Sequence, residues 1–254
     1  MLSIERQGLI LEAIAATGKV SISELVAKLD VSDMTVRRDL DELESKGLLR
    51  RVHGGAVDSR GRSYEPPLLT RGAANLKQKE LIGKVAAGMV ANGDSIALDV
   101  GTTTREVARG LTGTSNLTVI TPSFDIGTIL ADQPGIRLIL TGGILRPGEH
   151  SLVGNLAEEA FTHFRVDKLF VGIGGIDFVA GLTEFNVDDA QVKKAMLRSA
   201  KEIILVADAS KFGRIAFAHV AQLSVLDRIV TDAALPLQLQ EQFKEQNIEV
   251  VLAG

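Results

Sequence analysis

Five nearly continuous apolar runs constrain the fold of this chain more than any other feature. Each has the length of one strand and little polar alternation, and they cover residues 95–100, 117–121, 136–140, 168–173 and 203–206. Such runs are typical of strands that are buried on both faces, as in a parallel sheet covered by helices. Two shorter runs, residues 228–230 and 248–251, can add strands to it. The sequence therefore predicts a mostly parallel α/β domain.

The chain is long enough for this domain and a smaller one. Of 254 residues, about sixty at the N-terminus show a helical pattern, which leaves enough chain for one α/β core. The sequence shows no secretory leader and no apolar run of bilayer length, so we expect a cytoplasmic protein with no membrane partner. A net charge of −4 argues against indiscriminate nucleic-acid binding.

Cysteine and histidine usage limits the chemistry that the chain can perform. The absence of cysteine excludes disulfides, thiolate catalysis and zinc sites built on cysteine. The histidines lack the close spacing of metal ligands; they are His53, His150, His163 and His219. We therefore expect neither a metal nor a cofactor.

The N-terminal sixty residues have the pattern of a helix-turn-helix. Ser21 opens a capping box for a short helix that ends near Asp30. Ser32 is a typical N-cap for a second helix over residues 33–46. Three or four residues join the two helices, as this motif requires. An earlier helix over residues 4–16 supplies apolar side chains to the same small core.

The second helix has two distinct faces. Val36, Leu40 and Leu43 fall on one stripe that must face a core. The opposite arc consists of Met34, Thr35, Arg37 and Arg38. An arginine pair on a helix is usually only a solvated face, and acids and bases nearly cancel over this segment. The order of capped helices and tight turn is what favours DNA binding here.

A glycine-rich hairpin follows this helix. After Gly47 the residues 48–52, the tip His53-Gly54-Gly55 and residues 56–57 predict two short strands. This hairpin would make the domain a winged helix. Cationic donors on the hairpin would reach phosphates or the minor groove. They are Arg50, Arg51 and His53.

Two motifs in this segment are specific. Residues 31–40 read V-S-D-M-T-V-R-R-D-L, and residues 51–56 read R-V-H-G-G-A. They resemble the signature of the DeoR family of bacterial transcriptional regulators. The resemblance implies that the second helix reads the DNA major groove and that the wing supports it. The predicted DNA-binding residues are Ser32, Met34, Thr35, Arg37, Arg38, Arg51 and His53.

A polar segment separates the two halves of the chain. Residues 58–63 are polar and contain glycine, and Pro66-Pro67 cannot continue a helix, so the boundary lies near residues 58–72. A helical pattern resumes at Leu76. The predicted organisation is a winged helix-turn-helix over residues 1–58, a linker over 59–75 and an α/β domain over 76–254.

Small and polar residues collect where the predicted strands end. Ligands of a parallel sheet bind outside the carboxyl ends of its strands. Residues 101–104 lead directly into a helix, whose N-terminus would form an anion cradle. Glycines, carboxylates and lysines follow the other strands, and we expect the pair Lys193-Lys194 to be about half exposed. Taken singly, each feature is typical of a turn or a cap.

Together these residues suit a small phosphorylated polyol. Lysines and free amides would bind the phosphate, and carboxylates would accept the hydroxyl groups. The predicted effector-binding residues are Asp99, Gly101, Thr102, Thr103, Thr104, Gly142, Gly143, Gly174, Gly175, Asp177, Glu184, Lys193, Asp208 and Lys211.

The second half also resembles the C-terminal sensor domain of DeoR-type regulators. The resemblance rests on residues 99–104, 174–177, 192–196 and 208–213, so that it covers nearly the whole chain. It implies a phosphorylated sugar or polyol effector and double-stranded operator DNA as partners. It also implies a homo-oligomer, a dimer or a tetramer, that usually represses a catabolic operon.

Two other functions stay open. The sensor domain is similar in fold to ribose-5-phosphate isomerase, so the alternative is a sugar-phosphate isomerase-like enzyme fused to a DNA-binding domain. Aligned on residues 207–211, the glutamate base of that enzyme becomes Lys193, and a protonated lysine cannot abstract a proton from carbon unless its pKa is strongly depressed. We therefore favour a binding pocket with no catalytic residues. An architectural DNA-bridging protein is a third interpretation, although it would need no such pocket.

Overall fold

The structure is a computed structural model that describes residues 2–57 and 61–254. It divides into two compact units, Met1–Ala74 and Asn75–Gly254, each with its own hydrophobic core. Within the described ranges, no helix has both the length and the apolar character needed to cross a membrane.

The first unit is a winged helix, as predicted. Helices α1, α2 and α3 enclose an apolar core, and its β-strands form an antiparallel sheet in the order β1-β3-β2. The elements are α1 (Ser3–Thr17), β1 (Lys19–Ser21), α2 (Ile22–Leu29), α3 (Asp33–Ser45), β2 (Arg50–Val52), β3 (Gly55–Val57) and α4 (Leu68–Ala73).

Two elements of this unit were not predicted. Strand β1 has only three residues, too few to show an alternating pattern, and it is fixed by antiparallel pairing with β3. Helix α4 lies in the segment predicted as a linker, and its Thr70 lies against Gly8 of α1. The described part of the predicted linker is therefore partly helical.

The helix ends confirm the predicted caps. Ser21 accepts a hydrogen bond from the amide of Glu24 at 3.2 Å, and the Glu24 carboxylate accepts one from the amide of Ser21 at 2.9 Å. Ser32 accepts from the amide of Thr35 at 3.2 Å. Gly47 adopts a φ of 69°, which allows the chain to leave α3 in the left-handed conformation.

The second unit is an α/β domain with a parallel main sheet. Its elements are α5 (Leu76–Ala87), β4 (Ser95–Leu98), α6 (Thr102–Gly110), β5 (Leu117–Thr121), α7 (Phe124–Leu130), β6 (Ile136–Leu140), β7 (Ile144–Leu145), β8 (Leu152–Val153), α8 (Asn155–His163), β9 (Val166–Val171), β10 (Gly175–Asp177), β11 (Gly181–Glu184), α9 (Val187–Ser199), β12 (Ala200–Val206), β13 (Ala218–Ala221), β14 (Arg228–Asp232), α10 (Leu237–Glu245) and β15 (Glu249–Ala253).

Seven strands within residues 75–254 form the main sheet, in the order β15-β14-β12-β9-β4-β5-β6, and every pair is parallel. Helices α5, α6 and α7 cover one face, and α8, α9 and α10 cover the other. The strand order reverses between β4 and β9. The predicted buried runs thus form one doubly covered sheet.

Strands β10, β11 and β13 form a separate antiparallel sheet. The glycine-containing segments around residues 174–177 and 181–184 therefore belong to strands, where the sequence indicated only polar residues after a strand. Glycine is required at position 175 because another part of the backbone approaches it closely: a Cβ there would lie 2.3 Å from the carbonyl oxygen of Arg214.

Candidate functional site

The outer face of α3 is the first candidate site. Met34, Arg37 and Arg38 are exposed on it, and Thr35 is half-buried. Val36 and Leu40 are fully buried on the other side of the helix. The Ser32 hydroxyl is already hydrogen-bonded to the amide and the hydroxyl of Thr35, and this bonding caps the helix.

Two of the predicted DNA-binding arginines are paired with carboxylates of α3. Arg37 forms a two-pronged ion pair with Asp33, and Arg51 of the wing pairs with Asp41. Arg38 makes no ion pair with another described residue. Of the predicted DNA-binding arginines, Arg38 therefore has the least competition from neighbouring carboxylates.

A buried ion pair that the sequence analysis missed holds α3 in place. Asp39 is fully buried and pairs with Arg6 of α1 through both carboxylate oxygens. Burial would raise the pKa of Asp39, but the hydrogen bond and charge of Arg6 outweigh it and hold the pKa below its ordinary value. The sequence does contain a signal for this pair, because Asp39 lies beside Leu40 on the apolar stripe of the helix, where an acid is buried and needs a partner.

The wing is fixed at its tip. A Cβ on Gly55 would lie 2.0 Å from the carbonyl oxygen of Val20, so only glycine allows β3 to approach β1 there. The amide of Ile22 donates to the carbonyl of Gly54 at 2.9 Å. His53 is exposed beside this anchored glycine pair.

The second candidate site lies where the strand order of the main sheet reverses, between β4 and β9. Asp99 directly follows β4, and Gly172 directly follows β9. The Asp99 carboxylate accepts the amide of Gly172 at 2.9 Å and pairs with the Nζ of Lys193 on α9. Ligands of open α/β sheets bind in the crevice at this reversal.

Lys193 is buried, so the expectation that it is half exposed was wrong. Its ammonium also donates to the carbonyl of Gly172 at 3.1 Å and lies 3.5 Å from the Glu184 carboxylate. Burial would lower the pKa of Lys193, but the surrounding carboxylates outweigh it and raise the pKa above its ordinary value. The group is therefore a fixed positive charge.

A further ion pair, absent from the predicted set, lies beside this cluster. Arg146, in the segment between β7 and β8, pairs with Asp189 in the first turn of α9. Burial raises the pKa of Asp189 to about 6, although Arg146 and Lys193 oppose the rise. No sequence spacing relates residues that come from separate elements in this way.

The N-terminus of α6 opens next to the cluster. Gly101 precedes it with a φ of 151°, and Thr104 donates its hydroxyl to the Gly101 carbonyl at 3.0 Å. The hydroxyls of Thr102 and Thr103 make no hydrogen bond to another described residue. A helix N-terminus also leaves its first amides without partners inside the helix.

A second polar group lies at the carboxyl ends of β12 and β14. Asp208 accepts hydrogen bonds from Ser210 and from the Asn75 side chain at 3.1 Å. Burial would raise its pKa, but Lys211 and the buried Lys79 lower it below the ordinary value. Asp208 and Lys211 are predicted site residues, whereas Lys79 was not predicted because it lies on α5, far away in the sequence.

Other predicted residues occupy structural positions. Asp177 accepts the amides of Val179 and Ala180, both at 2.8 Å, and so closes the β10–β11 turn. Gly142 and Gly143 adopt positive φ angles in the connection from β6 to β7. A Cβ on Gly174 would lie 2.8 Å from a Glu184 oxygen. In the described ranges, no group of three or more His, Asp or Glu side chains is placed to hold a metal ion.

Comparison with known proteins identifies both units. The DeoR-like helix-turn-helix domain matches residues 6–59, and the DeoR C-terminal sensor domain matches residues 74–233. This chain belongs to the DeoR family. The DeoR-family chain is thus a DNA-binding transcriptional regulator with a helix-turn-helix domain and a sensor domain.

Curated relatives align with this DeoR-family chain over its whole length. It is 34% identical over 252 residues to the glycerol-3-phosphate regulon repressor of Escherichia coli, covering 99% of this chain and 100% of that one. It is 36% identical over 251 residues to the transcriptional regulator GlpR of Haloferax volcanii, covering 99% and 98%. Among solved structures, ribose 5-phosphate isomerase A of Methanocaldococcus jannaschii matches 55% of each chain at 19% identity, with a TM-score of 0.41.

Proposed function

We propose that this protein represses a carbohydrate or polyol catabolic operon. We propose also that it is controlled by a phosphorylated sugar or polyol that binds at the main sheet of the sensor domain. The observation that carries the proposal is the polar cluster at the strand-order reversal. There, the ammonium of Lys193 forms ion pairs with both Asp99 and Glu184. Relatives named for the glycerol-3-phosphate regulon support the same class of effector.

The residues around the cluster suit the two ends of such an effector. The first amides of α6 and the unbonded hydroxyls of Thr102 and Thr103 would bind the phosphate. We propose that Lys211, from the separate polar group around Asp208, supplies positive charge to it. Glu184 and Asp189 would accept hydroxyl groups of the polyol. Lys193 is already neutralised by carboxylates, so it orients Asp99 and Glu184 and does not serve as the phosphate's counter-ion.

The same residues argue for a sensor that is not an enzyme. An isomerase needs a base that removes a proton from carbon. Lys193, the residue at the position of that base, has a raised pKa and keeps its proton. The proposed effector therefore binds and leaves unchanged.

Control of DNA binding would follow from a shift between two arrangements of the protein. An effector that binds one arrangement better changes DNA affinity by that difference, typically about 1–3 kcal/mol. One winged helix buries roughly 600–1,000 Å² on DNA, too little for tight selective binding, so we propose that a homo-oligomer, a dimer or a tetramer, presents two or more to the operator.

A substitution at the start of α6 tests the effector site. Thr103→Asp would place a carboxylate where we propose the phosphate to lie, and Thr128→Asp, at an exposed position of α7, is the matched control. Glycerol 3-phosphate and a panel of pentose and hexose phosphates should raise the melting temperature of the wild type and of Thr128→Asp, but not of Thr103→Asp. Glycerol and the free sugars should have far weaker effects, because they lack the charge-assisted bonds, which contribute about 1.5–3 kcal/mol each.

The DNA-binding half of the experiment uses the same proteins. Fragments selected from random DNA by the wild type should bind Thr103→Asp with unchanged affinity, because α3 belongs to the other unit. Stabilisation of Thr103→Asp by the phosphorylated panel would contradict the proposed phosphate site. Absence of any response in the wild type would contradict control by a phosphorylated polyol.

A further inference from the structure

Apolar side chains are exposed around β6, which is one of the two edge strands of the main sheet. Leu140 at its end is 44% exposed, Ile144 of β7 is 71% exposed, and Leu156 at the start of α8 is 66% exposed. Leu140 lies against α7, and Ile144 lies beside the turn that starts α8. We call this surface the edge patch; it consists of Phe124, Leu140, Ile144, Leu145 and Leu156. Large apolar side chains exposed around one edge strand are typical of a protein contact.

The backbone of β6 has an unused hydrogen-bonding side. Leu117 donates to the carbonyl of Gly135 and Thr141 donates to the carbonyl of Thr121, so the odd-numbered residues of β6 face β5. The even-numbered residues therefore direct their amides outward. The outward amide of Ile136 is used in a turn, whereas those of Leu138 and Leu140 have no partner among the described residues.

We propose that β6 pairs with β6 of a second copy of this chain, antiparallel and about a two-fold axis at Ile139. In this register Leu138 of one copy faces Leu140 of the other, and each pair exchanges two hydrogen bonds. The four bonds use both free amides of each copy. A register centred on Leu138 would instead require the amide of Ile136, which is already bonded.

A second copy fits this edge for further reasons. Edge strands of monomeric proteins are usually protected by proline, by inward-pointing charges or by covering elements. Within β6 only Arg137 is charged. The opposite edge strand, β15, begins with Glu249, which pairs with Arg228. Two-fold pairing would also bring two winged helices into one particle; this last point rests on the proposed function.

The proposed register makes a specific distance prediction. Ile139 would lie opposite Ile139 of the second copy at a pair without hydrogen bonds, where the Cα atoms are about 4.5 Å apart. This separation is within the range of a disulfide. Arg137, on the same face, would lie roughly 13 Å from its own counterpart, because four residues separate the two along the strand.

Since the chain has no cysteine, engineered disulfides report this geometry directly. Full-length Ile139→Cys should become a covalent dimer under mild oxidation and revert on reduction. Arg137→Cys and Val250→Cys, the latter on β15, should stay monomeric on a denaturing gel. Failure of Ile139→Cys to cross-link, with its circular dichroism spectrum unchanged, would overturn the proposal, as would equal cross-linking of Val250→Cys.

A second measurement does not depend on oxidation. The double variant Leu140→Arg/Ile144→Glu should halve the particle mass found by light scattering, or reduce a tetramer to dimers, whereas Leu237→Glu on α10 should leave it unchanged. A wild type that is monomeric at micromolar concentration, or a double variant with wild-type mass, would refute the pairing. The response to phosphorylated ligands is a separate measurement, so loss of pairing and failure of the proposed effector site are distinguishable.

Discussion

Removal of the Lys193 ammonium should strongly destabilise the sensor unit. The group pairs with Asp99, donates to the carbonyl of Gly172 at 3.1 Å and lies 3.5 Å from Glu184. Lys193 and Asp99 are only 3% and 1% exposed, so water cannot replace the lost cation. Breaking a buried ion pair typically costs about 3–5 kcal/mol, because the other charge stays buried. We expect Lys193→Met to lower the free energy of unfolding by about 4 kcal/mol.

A second substitution separates charge from packing. In Lys193→Met/Asp99→Asn both partners are neutral, so the double variant should regain roughly 2 kcal/mol over Lys193→Met. The pKa of Asp99 is already raised by burial and would rise further without Lys193. A carboxyl with a raised folded-state pKa is stabilised as the pH falls, so the defect of Lys193→Met should be smaller near pH 5 than near pH 8.

Urea denaturation followed by circular dichroism is the suitable assay, because the chain has no tryptophan and one tyrosine. Hydrogen exchange should locate the loss of protection in peptides from residues 75–254 and leave those from residues 2–57 unchanged. A loss below about 1 kcal/mol in Lys193→Met would refute the reasoning, since a buried unpaired carboxylate cannot cost so little. A double variant no more stable than the single one would refute it as well.

Two further predictions concern the other charged groups. The folded-state pKa of Asp189 is raised to about 6, above that of the unfolded chain. The free energy of unfolding of the wild type should therefore fall by about 1 kcal/mol relative to that of Asp189→Asn between about pH 5 and pH 8. Urea denaturation at several pH values measures both free energies, and a difference between them that does not change with pH contradicts the prediction. On DNA, Arg38→Ala should weaken binding to the selected fragments by about 1–3 kcal/mol, and Arg37→Ala should weaken it less because Asp33 already neutralises that guanidinium. Gel shifts test both, with Arg198→Ala of α9 as control, and wild-type affinity in Arg38→Ala would contradict the prediction.

Local signals in the sequence were sufficient for much of the fold. Ser21 and Ser32 cap their helices as predicted, because capping depends on residues within one turn of the chain. The nearly continuous apolar runs became strands β4, β5, β6, β9 and β12 of the main sheet, because a strand covered by helices on both faces needs few polar residues. Asp99 and Glu184, predicted as site residues from their positions after strands, lie close to Lys193.

What the sequence did not reveal depends on contacts between distant residues. Lys193 looks like a solvated lysine until Asp99, 94 positions away, is placed beside it. Arg146 and Asp189 likewise come from separate elements. Strand β1 is defined by its partner β3 rather than by its own pattern. Asp177 closes the turn between β10 and β11, and this structural role gives a carboxylate after a strand the same local sequence signature as a ligand-binding role.

The buried Asp39 has a consequence for how new operator sequences are acquired. It immediately follows the two outward arginines, and its bond to Arg6 fixes the rotation of α3 about its own axis. Residues 34, 37 and 38 therefore keep their orientation whatever side chains they carry, and none of them contributes to the core. We propose that these three side chains read the operator, in which case relatives of this chain could exchange them and change the target sequence without destabilising the core of the domain.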